Sequence, residues 1–428
     1  MSNPMQTPVE VNRIYRSNSL ITILEQALFS LIRLSISPYL VLPFYLKQLT
    51  ESTFLIGLIP AVFVIGFALP QFLMVRILRH TRRPMRLLIL SALGQRLGML
   101  GMFLLTIFQI RLPNAVTIVL FFIIYLFFNI ARGCYSPTQI DFLGRGVPNN
   151  RGKIIGLGNF LGGILNLLGT LLLTGLLTKL PYPQAITAVM GVSLAGSLVS
   201  FVAILFLRDV LPDGGAHSSI QDYSQGKKVL PSPAFQKYLS WRAVIIGLEM
   251  MLPFYTLYGL DKFALPASYV GIFAAIMTIS DAVGNPFWGW LGDRIGYLRI
   301  IILASSLGCA AAILSAIAPN VFIFSLVFLL NGFMISGQSL SGVNIIYEFS
   351  PRREVPLYVA FHQVLLSLLS SLAPVLGASL TGVLGYAAGS LVAGVTGFIG
   401  ALGMQLKVHS PRLDKLKALE KTIKAEAS

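Results

Sequence analysis

Gly289-Trp290-Leu291-Gly292-Asp293-Arg294-Ile295-Gly296-Tyr297-Leu298-Arg299 is a short charged stretch set between two apolar runs. One membrane-length run ends near Gly292, and the next covers residues 300–318. A chain that leaves a bilayer and re-enters at once needs glycine, both to turn and to let helices approach closely. It needs an acid near the start of the following helix, where free N–H groups and the positive end of the dipole lie. It needs arginine to hold the loop on the cytoplasmic side. Gly289 and Gly296, Asp293, and Arg294 fill these roles, which makes the stretch a candidate conformational hinge.

The composition agrees with a membrane setting. Of 428 residues, 55% are hydrophobic and 11% charged, whereas a soluble domain carries about a quarter charged residues. The mean hydropathy is +0.78. The apolar runs reach the ~20 residues that a bilayer-crossing helix needs, and they lack the short alternating segments of a membrane β-barrel. The chain is therefore expected to be an all-α integral membrane protein. Its net charge of +16 does not point to nucleic acid, because the basic residues recur at alternate loops rather than in one patch. Cys134 and Cys309 lie in unrelated apolar segments without metal or redox spacing and read as packing residues. The polar residues 1–19 precede an apolar run too long for a cleaved signal, so the first helix is expected to be retained.

About twelve spans are expected, at residues 18–46, 53–78, 84–110, 115–143, 152–179, 184–208, 235–260, 267–291, 297–319, 321–348, 355–384 and 386–408. Lysine and arginine crowd one set of loops and span ends. These include Arg13 and Arg16; Arg76, Arg79, Arg82, Arg83 and Arg86; Arg145, Arg151 and Lys153; Arg208, Lys227, Lys228, Lys237 and Arg242; Arg294 and Arg299; and Arg352 and Arg353. The opposite loops carry Lys47, Arg111, Lys179 and Lys262. Both termini are therefore expected in the cytoplasm, with the basic tail 409–428 there as well. Residues 209–234 form the one long polar stretch between spans. They read as a cytoplasmic linker between an N-terminal bundle, 18–208, and a C-terminal bundle, 235–408. Residues 1–17 form a short cytoplasmic lead.

The two halves read as repeats. Leu42-Pro43-Phe44-Tyr45 recurs as Leu252-Pro253-Phe254-Tyr255, Leu93-Gly94 as Leu307-Gly308, Pro148 as Pro351, and Thr174-Gly175 as Thr381-Gly382. Each recurrence lies about half the chain length further on. Two related six-helix halves are one of the known transporter architectures.

Polar groups inside spans are expensive, so each is a functional candidate. In the first span Gln26, Ser30, Arg33 and Ser37 share a helical face, bordered by Glu25. In the fourth, Tyr125, Asn129, Arg132, Ser136 and Gln139 do so, and in the fifth, Asn159, Gly163, Asn166 and Thr170. The second half offers Glu249, Asp281 with Asn285 and Trp288 on its face, Asn331 with Gln338, and His362. The stripes read as the lining of a wet cavity; the bland alternative is helix–helix glue. Glu25 has two readings, a structural partner of Arg132 or a group in transport. Arg96 reads as structural. Asp281, then Glu249, are the candidate proton-coupling acids, because a carboxyl without a fixed cation tends to take up a proton. Arg33 and Arg132 keep their charge and favour a substrate with an anionic or polar group.

The stretch at Gly289 resembles the Gly-x-Leu-x-Asp-Arg-x-Gly-Arg loop of the major facilitator superfamily. It matches at Gly289, Leu291, Asp293, Arg294 and Gly296 and departs at Tyr297 and Leu298, with Arg299 one step late. The first half repeats the loop in charge alone, at Arg76, Arg79, His80, Arg82, Arg83 and Arg86 after Pro70-Gln71. Pro148, Arg151-Gly152 and Gly156 resemble that family's entry to span five. The arginine of its span-four motif is not at its usual depth, where Tyr125 lies. The resemblance covers about residues 18–408. It implies two pseudo-symmetric six-helix bundles rocking about a central site.

The reading is thus a secondary active transporter, with proton-coupled export of a small amphipathic compound as its first form. Tyr45, Tyr125, Tyr255 and Trp288 suit such a ligand. Uptake of an organic anion is the second form. A non-transporting membrane assembly or sensor protein of the same fold is the rival from another class. No nucleotide fingerprint, metal cluster or nucleophile–base constellation is present, so neither a cofactor nor an enzymatic reaction is expected. The expected partners are a small-molecule substrate, protons and the lipid of a plasma or inner membrane, with the chain acting as a monomer.

Overall fold

In a computed structural model, residues 8–81, 83–147, 151–209, 232–350 and 355–408 are described. Thirteen helices occur among them, and no strand. They are α1 (Pro8–Ser35), α2 (Val41–Lys47), α3 (Thr53–His80), α4 (Pro84–Phe108), α5 (Asn114–Gly146), α6 (Arg151–Lys179) and α7 (Gln184–Leu205). Then follow α8 (Pro233–Ile245), α9 (Tyr255–Lys262), α10 (Tyr269–Ile295), α11 (Tyr297–Ile317), α12 (Val321–Phe349) and α13 (Val355–Lys407). Most of the linker, the tail 409–428, Arg82, Pro148, Arg352 and Arg353 lie outside the described residues.

Ten helical stretches among the described residues are long and apolar enough to cross a membrane. Two departures from one helix per span account for the difference from twelve. The expected spans eleven and twelve run together as α13, which breaks at Gly385, where φ is 80° and ψ 168°. That is backbone a glycine adopts at little cost, and it falls where the sequence reading puts the junction.

The first span is the second departure and a correction. It is not one helix over 18–46. It ends at Ser35 and resumes at Val41. Pro38 lies in the gap: it lacks an N–H, clashes with the carbonyl four residues back, and biases Ser37 away from helix. The seventh span is interrupted as well. A 3-10 stretch, Ile246–Met251, separates α8 from α9, with Pro253 just beyond it. The first Leu-Pro-Phe-Tyr copy thus lies in α2 just past a helix gap, and the second leads from the 3-10 stretch into the first residue of α9. Tyr45 and Tyr255 are buried at both places.

The described chain divides into two compact units. One holds residues 8–52 and 62–209 with Pro266–Ile272. The other holds Thr53–Ala61 with residues 232–265 and 273–408. Within the first, α1 packs on α6 and α7, and α4 on α5 and α7. Within the second, α13 packs on α8, on the 3-10 stretch and on α11, while α11 packs on α12. Span for span this is the same scheme, so the sequence repeat is a repeat of packing. Small residues allow it. Gly94, Gly98 and Gly101 follow one face of α4, and a methyl on each would meet Ala131, Phe128 and Ile124 of α5 at 3.0, 2.8 and 2.9 Å. In the second unit Gly397, Gly400 and Gly403 press on Leu248, Ile245 and Trp241. Close backbone approach of this kind is how helices associate in lipid, where no hydrophobic drive exists between them. Large apolar side chains such as Leu73, Ile123, Leu168, Phe322 and Val383 stand exposed. In water they would be a liability, and against acyl chains they are at home.

Candidate functional site

In the first unit, the polar face of α5 divides in two. At one end, Asn129 donates its amide to the Tyr125 carbonyl at 2.8 Å. Both side chains are fully buried, and Tyr125 Oη and Asn129 Oδ1 have no hydrogen-bond partner among the described residues. Arg132, one turn on, is partly exposed, with its guanidinium 5.2 and 5.1 Å from the rings of Phe63 and Phe67 on α3. Arg33 of α1 is exposed, and its positive charge bears on Arg132. No ion pair reaches Arg132 among the described residues. Two aromatic faces attract a guanidinium without neutralising it.

At the other end, Glu25 is buried and served by three donors. Tyr135 Oη donates to Oε1 at 3.1 Å, Gln139 Nε2 donates to Oε2 at 3.0 Å, and Arg96 Nη2 lies 3.9 Å from Oε1. Of the two readings of Glu25, the structural pair has Arg96 as its partner rather than Arg132. The reason is geometric: Arg96 is fixed on α4 by bonds to the Ala92 and Ser197 carbonyls and the Ser200 hydroxyl. It is also flanked by Phe29, Tyr135 and Phe201. A buried pair needs such saturation to persist. The cluster ties α1, α4, α5 and α7 together and leaves Arg132 to other work.

The stripe on α1 is partly glue. Gln26 lies against Gly158 of α6, and Ser30 donates to the Gly162 carbonyl at 2.7 Å. On α6, Asn159 is exposed and Asn166 is half-buried with Oδ1 unpartnered among the described residues. Thr170 bonds back to the Asn166 carbonyl at 2.8 Å.

In the second unit the polar centre forms around Arg242, one of the cations of the loops and span ends. Arg242 lies inside α8 and is 7% exposed. Its Nη2 donates to Gln338 Oε1 at 2.9 Å, and Gln338 Nε2 donates to the Ser305 hydroxyl at 3.2 Å. Tyr238, one turn before Arg242, stacks on His362 with ring centroids 6.1 Å apart. Its hydroxyl lies 3.2 Å from His362 Nε2. Glu249, in the 3-10 stretch, lies near enough to Arg242 and Ser370 for both to act on its charge. The place of Arg242 on one helical face with Glu249, two turns away, is legible in the sequence; its partner Gln338 is not.

The other candidates of this unit are placed differently. Asn331 is buried and bonds back to the Val327 carbonyl at 2.8 Å. Asp281 receives the Asn285 amide at 3.4 Å on Oδ1, and Asn285 is exposed. Trp288 donates to the Phe333 carbonyl at 2.8 Å and packs with Ile300 and Ala304. Of the aromatics expected to suit a ligand, Tyr45, Tyr125, Tyr255 and Trp288 are all 4% exposed or less.

The stretch that opens the sequence reading is a helix end followed by a one-residue turn. α10 continues through Asp293 and Arg294 to Ile295, and Gly296 turns the chain with φ 89°. Gly292 lies against the Tyr297 ring, whereas a methyl on Gly289 would meet Leu340 at an ordinary 3.7 Å. The acid that meets the start of α11 is Glu348 of α12, whose Oε1 accepts the Tyr297 amide at 3.1 Å. Asp293 accepts the Tyr297 hydroxyl at 2.7 Å, and Arg294 lies 4.1 Å over the Trp290 ring.

Known proteins agree with this architecture. The Major Facilitator Superfamily model matches residues 23–280 and 243–426. The chain is 30% identical to the multidrug resistance protein MdtG of Salmonella choleraesuis (strain SC-B67) over 108 residues, 23% of this chain and 26% of that protein. It thus spans about a quarter of the length of that relative. Among solved structures it is similar to the nucleoside transporter NupG, with a TM-score of 0.64 at 14% identity over 92% of this chain and 98% of that one. It is also similar to a D-xylose-proton symporter, with a TM-score of 0.63 at 16% identity over 92% and 98%. At such identities the likeness is one of fold. The family model covers both halves of the chain, which carry the same packing scheme and membrane-length helices: the chain belongs to the major facilitator superfamily of membrane transporters.

Proposed function

We propose that the protein exports a small amphipathic compound against its gradient by alternating access, using the inward movement of protons. The observation that carries this reading is the setting of Glu249. Its carboxyl sits in a span, with the neutral Ser370 close enough to bear on it and no ion pair among the described residues. Arg242 is near enough to act on its charge and is bonded to Gln338 instead. A carboxyl held in this way can exchange a proton at modest cost, whereas one locked in an ion pair cannot. Asp281 is the parallel candidate. The partial likeness to a multidrug resistance protein supports export. The uneven distribution of Lys and Arg supports both termini in the cytoplasm of an inner or plasma membrane, and the chain is taken to work as a monomer.

The test is proton-gradient-driven transport and substrate exchange in proteoliposomes. Glu249→Gln mimics the protonated acid. It is expected to abolish uphill movement while leaving exchange and binding in place, with Asp281→Asn as the parallel variant. Full uphill transport in both single variants and in the double variant would place the coupling group elsewhere. Uptake of an organic anion is the second reading, favoured by Arg132, which has no ion pair among the described residues and feels the charge of Arg33.

A further inference from the structure

Among the described residues, two buried arginines, Arg96 and Arg242, are treated differently. Arg96, 2% exposed, has an acceptor for each of its three nitrogens, an acid within 4 Å and three aromatic rings around it. Arg242, 7% exposed, has one nitrogen satisfied, by Gln338. Its Nε and Nη1 have no hydrogen-bond partner among the described residues. Nearby donors share that condition. His362 is 8% exposed and close enough for the Arg242 charge to act on it, and its Nδ1 has no partner. When Tyr238 donates to Nε2, Nδ1 carries the ring proton and is a donor. Ser341, one turn along α12 from Gln338 and next to Gly342, against which the His362 ring lies, is buried with its hydroxyl unpartnered.

Unsatisfied donors on a buried cation are costly, and a structural arginine would have recruited acceptors as Arg96 has. The deficit is one of acceptors, and it is positively charged. We propose that Arg242, His362 and Ser341 form an anion subsite in the second unit that takes the carboxylate of the transported compound. A carboxylate offers two oxygens and about four lone pairs, which suits a guanidinium with two free nitrogens, an imidazole N–H and a hydroxyl. Tyr238 and Gln338 are positioning residues: the first fixes the imidazole tautomer and the second holds one edge of the guanidinium. The substrate class that follows is an apolar body with an acidic head. This rests on the transport reading and narrows it.

The experiment is equilibrium binding to the full-length protein in detergent, read by isothermal calorimetry and by the thermal midpoint. The probes are formate, benzoate and octanoate, each against its own amide, and chloride against gluconate. The expected result is that at least one acid binds tenfold or more tighter than its amide and that Arg242→Gln removes this preference. His362→Gln should reduce it, and Arg96→Gln with Glu25→Gln should leave it. Glu249→Gln should keep or strengthen it, since it removes a competing internal anion. If Arg242→Gln fails to fold, Arg242→Lys keeps the charge and gives up the guanidinium geometry, and is expected to lose the preference in part. Equal binding of acids and amides would overturn the proposal. So would an unchanged preference in Arg242→Gln, or protection by chloride that no carboxylate reproduces. Carboxylate binding without any transport would leave this subsite standing and remove the transport reading instead.

Discussion

Glu348, near the end of α12, accepts the backbone N–H of Tyr297 at 3.1 Å, and so caps a helix that begins 51 residues earlier in the chain. The same turn of α11 receives a second acid by a different route, since Asp293 takes the Tyr297 hydroxyl at 2.7 Å. One acid is a helix cap supplied from outside the loop. The other is exposed and bonded to a side chain, the Tyr297 hydroxyl. Glu348→Ala is expected to lower stability by about 1 kcal/mol, the usual cost of losing a cap. Asp293→Asn is expected to leave insertion and thermal midpoint unchanged and to cut transport rate. Thermal unfolding in detergent and initial rates in proteoliposomes separate the two. A normal rate for Asp293→Asn would remove the hinge role from that residue.

Asn18 is a second residue of this kind, fully buried at the start of the first bundle. It donates to the Gly146 carbonyl at 3.1 Å and the Arg208 carbonyl at 2.8 Å, and accepts the Arg208 amide at 3.1 Å. It therefore holds the end of α5 and the segment just after α7 against α1. Asn18→Ala strands three backbone groups and is expected to cost roughly 2–3 kcal/mol. Asn18→Asp keeps the acceptor alone and should lie between. A thermal midpoint within a degree of the parent for Asn18→Ala would show that these segments are held by other contacts.

Much of this architecture is legible in the sequence because membrane spans are set by length and hydropathy. The turn at Gly296 and the break at Gly385 fall at glycines between apolar runs. The Leu-Pro-Phe-Tyr repeat lies beside a helix interruption in each half. What one residue meets across a helix interface is less legible. Gln26 and Ser30 share a polar face with Arg33, yet Gln26 packs on a glycine, Ser30 on a carbonyl, and Arg33 is exposed. Periodicity gives the face of a helix, not its neighbour. Arg242 shows the same limit: its face, shared with Glu249 two turns away, is legible, and whether it reaches inward is not. Only the position of α12, with Gln338, draws it inward. Tyr125 and Trp288 read as ligand aromatics because aromatic composition cannot distinguish a cavity wall from a packed core.

The Glu25–Arg96 pair yields a stability prediction that distinguishes structure from transport. Arg96→Gln leaves a buried carboxylate with two neutral donors, which should cost about 3–5 kcal/mol. Glu25→Gln strands a guanidinium whose other bonds persist and should cost less. The double variant Glu25→Gln with Arg96→Gln is expected to recover at least half the loss, because no uncompensated charge remains. Denaturation midpoints of the two singles and the double form the cycle. Strictly additive losses would mean that the pair does not act as a unit.

Arg132 gives the opposite expectation, from the same chemistry. Its guanidinium lies 5.2 and 5.1 Å from the rings of Phe63 and Phe67, has no ion pair among the described residues, and lies under the influence of a second cation, Arg33. Removing its charge forfeits two aromatic contacts of about 0.5–1 kcal/mol each and relieves like-charge repulsion, so the balance is near zero. Arg132→Gln should therefore unfold at nearly the parent temperature. If the residue meets substrate, the same variant should lose transport at least tenfold. Arg132→Lys, which keeps charge and loses the planar fork, should recover rate in part. The informative comparison is with Arg96→Gln, which is expected to lose stability first. A stable, fully active Arg132→Gln would assign the residue to the membrane surface rather than to the transport path. A variant that unfolds as readily as Arg96→Gln would show that the two aromatic rings hold the helix pair α3–α5 together through the cation.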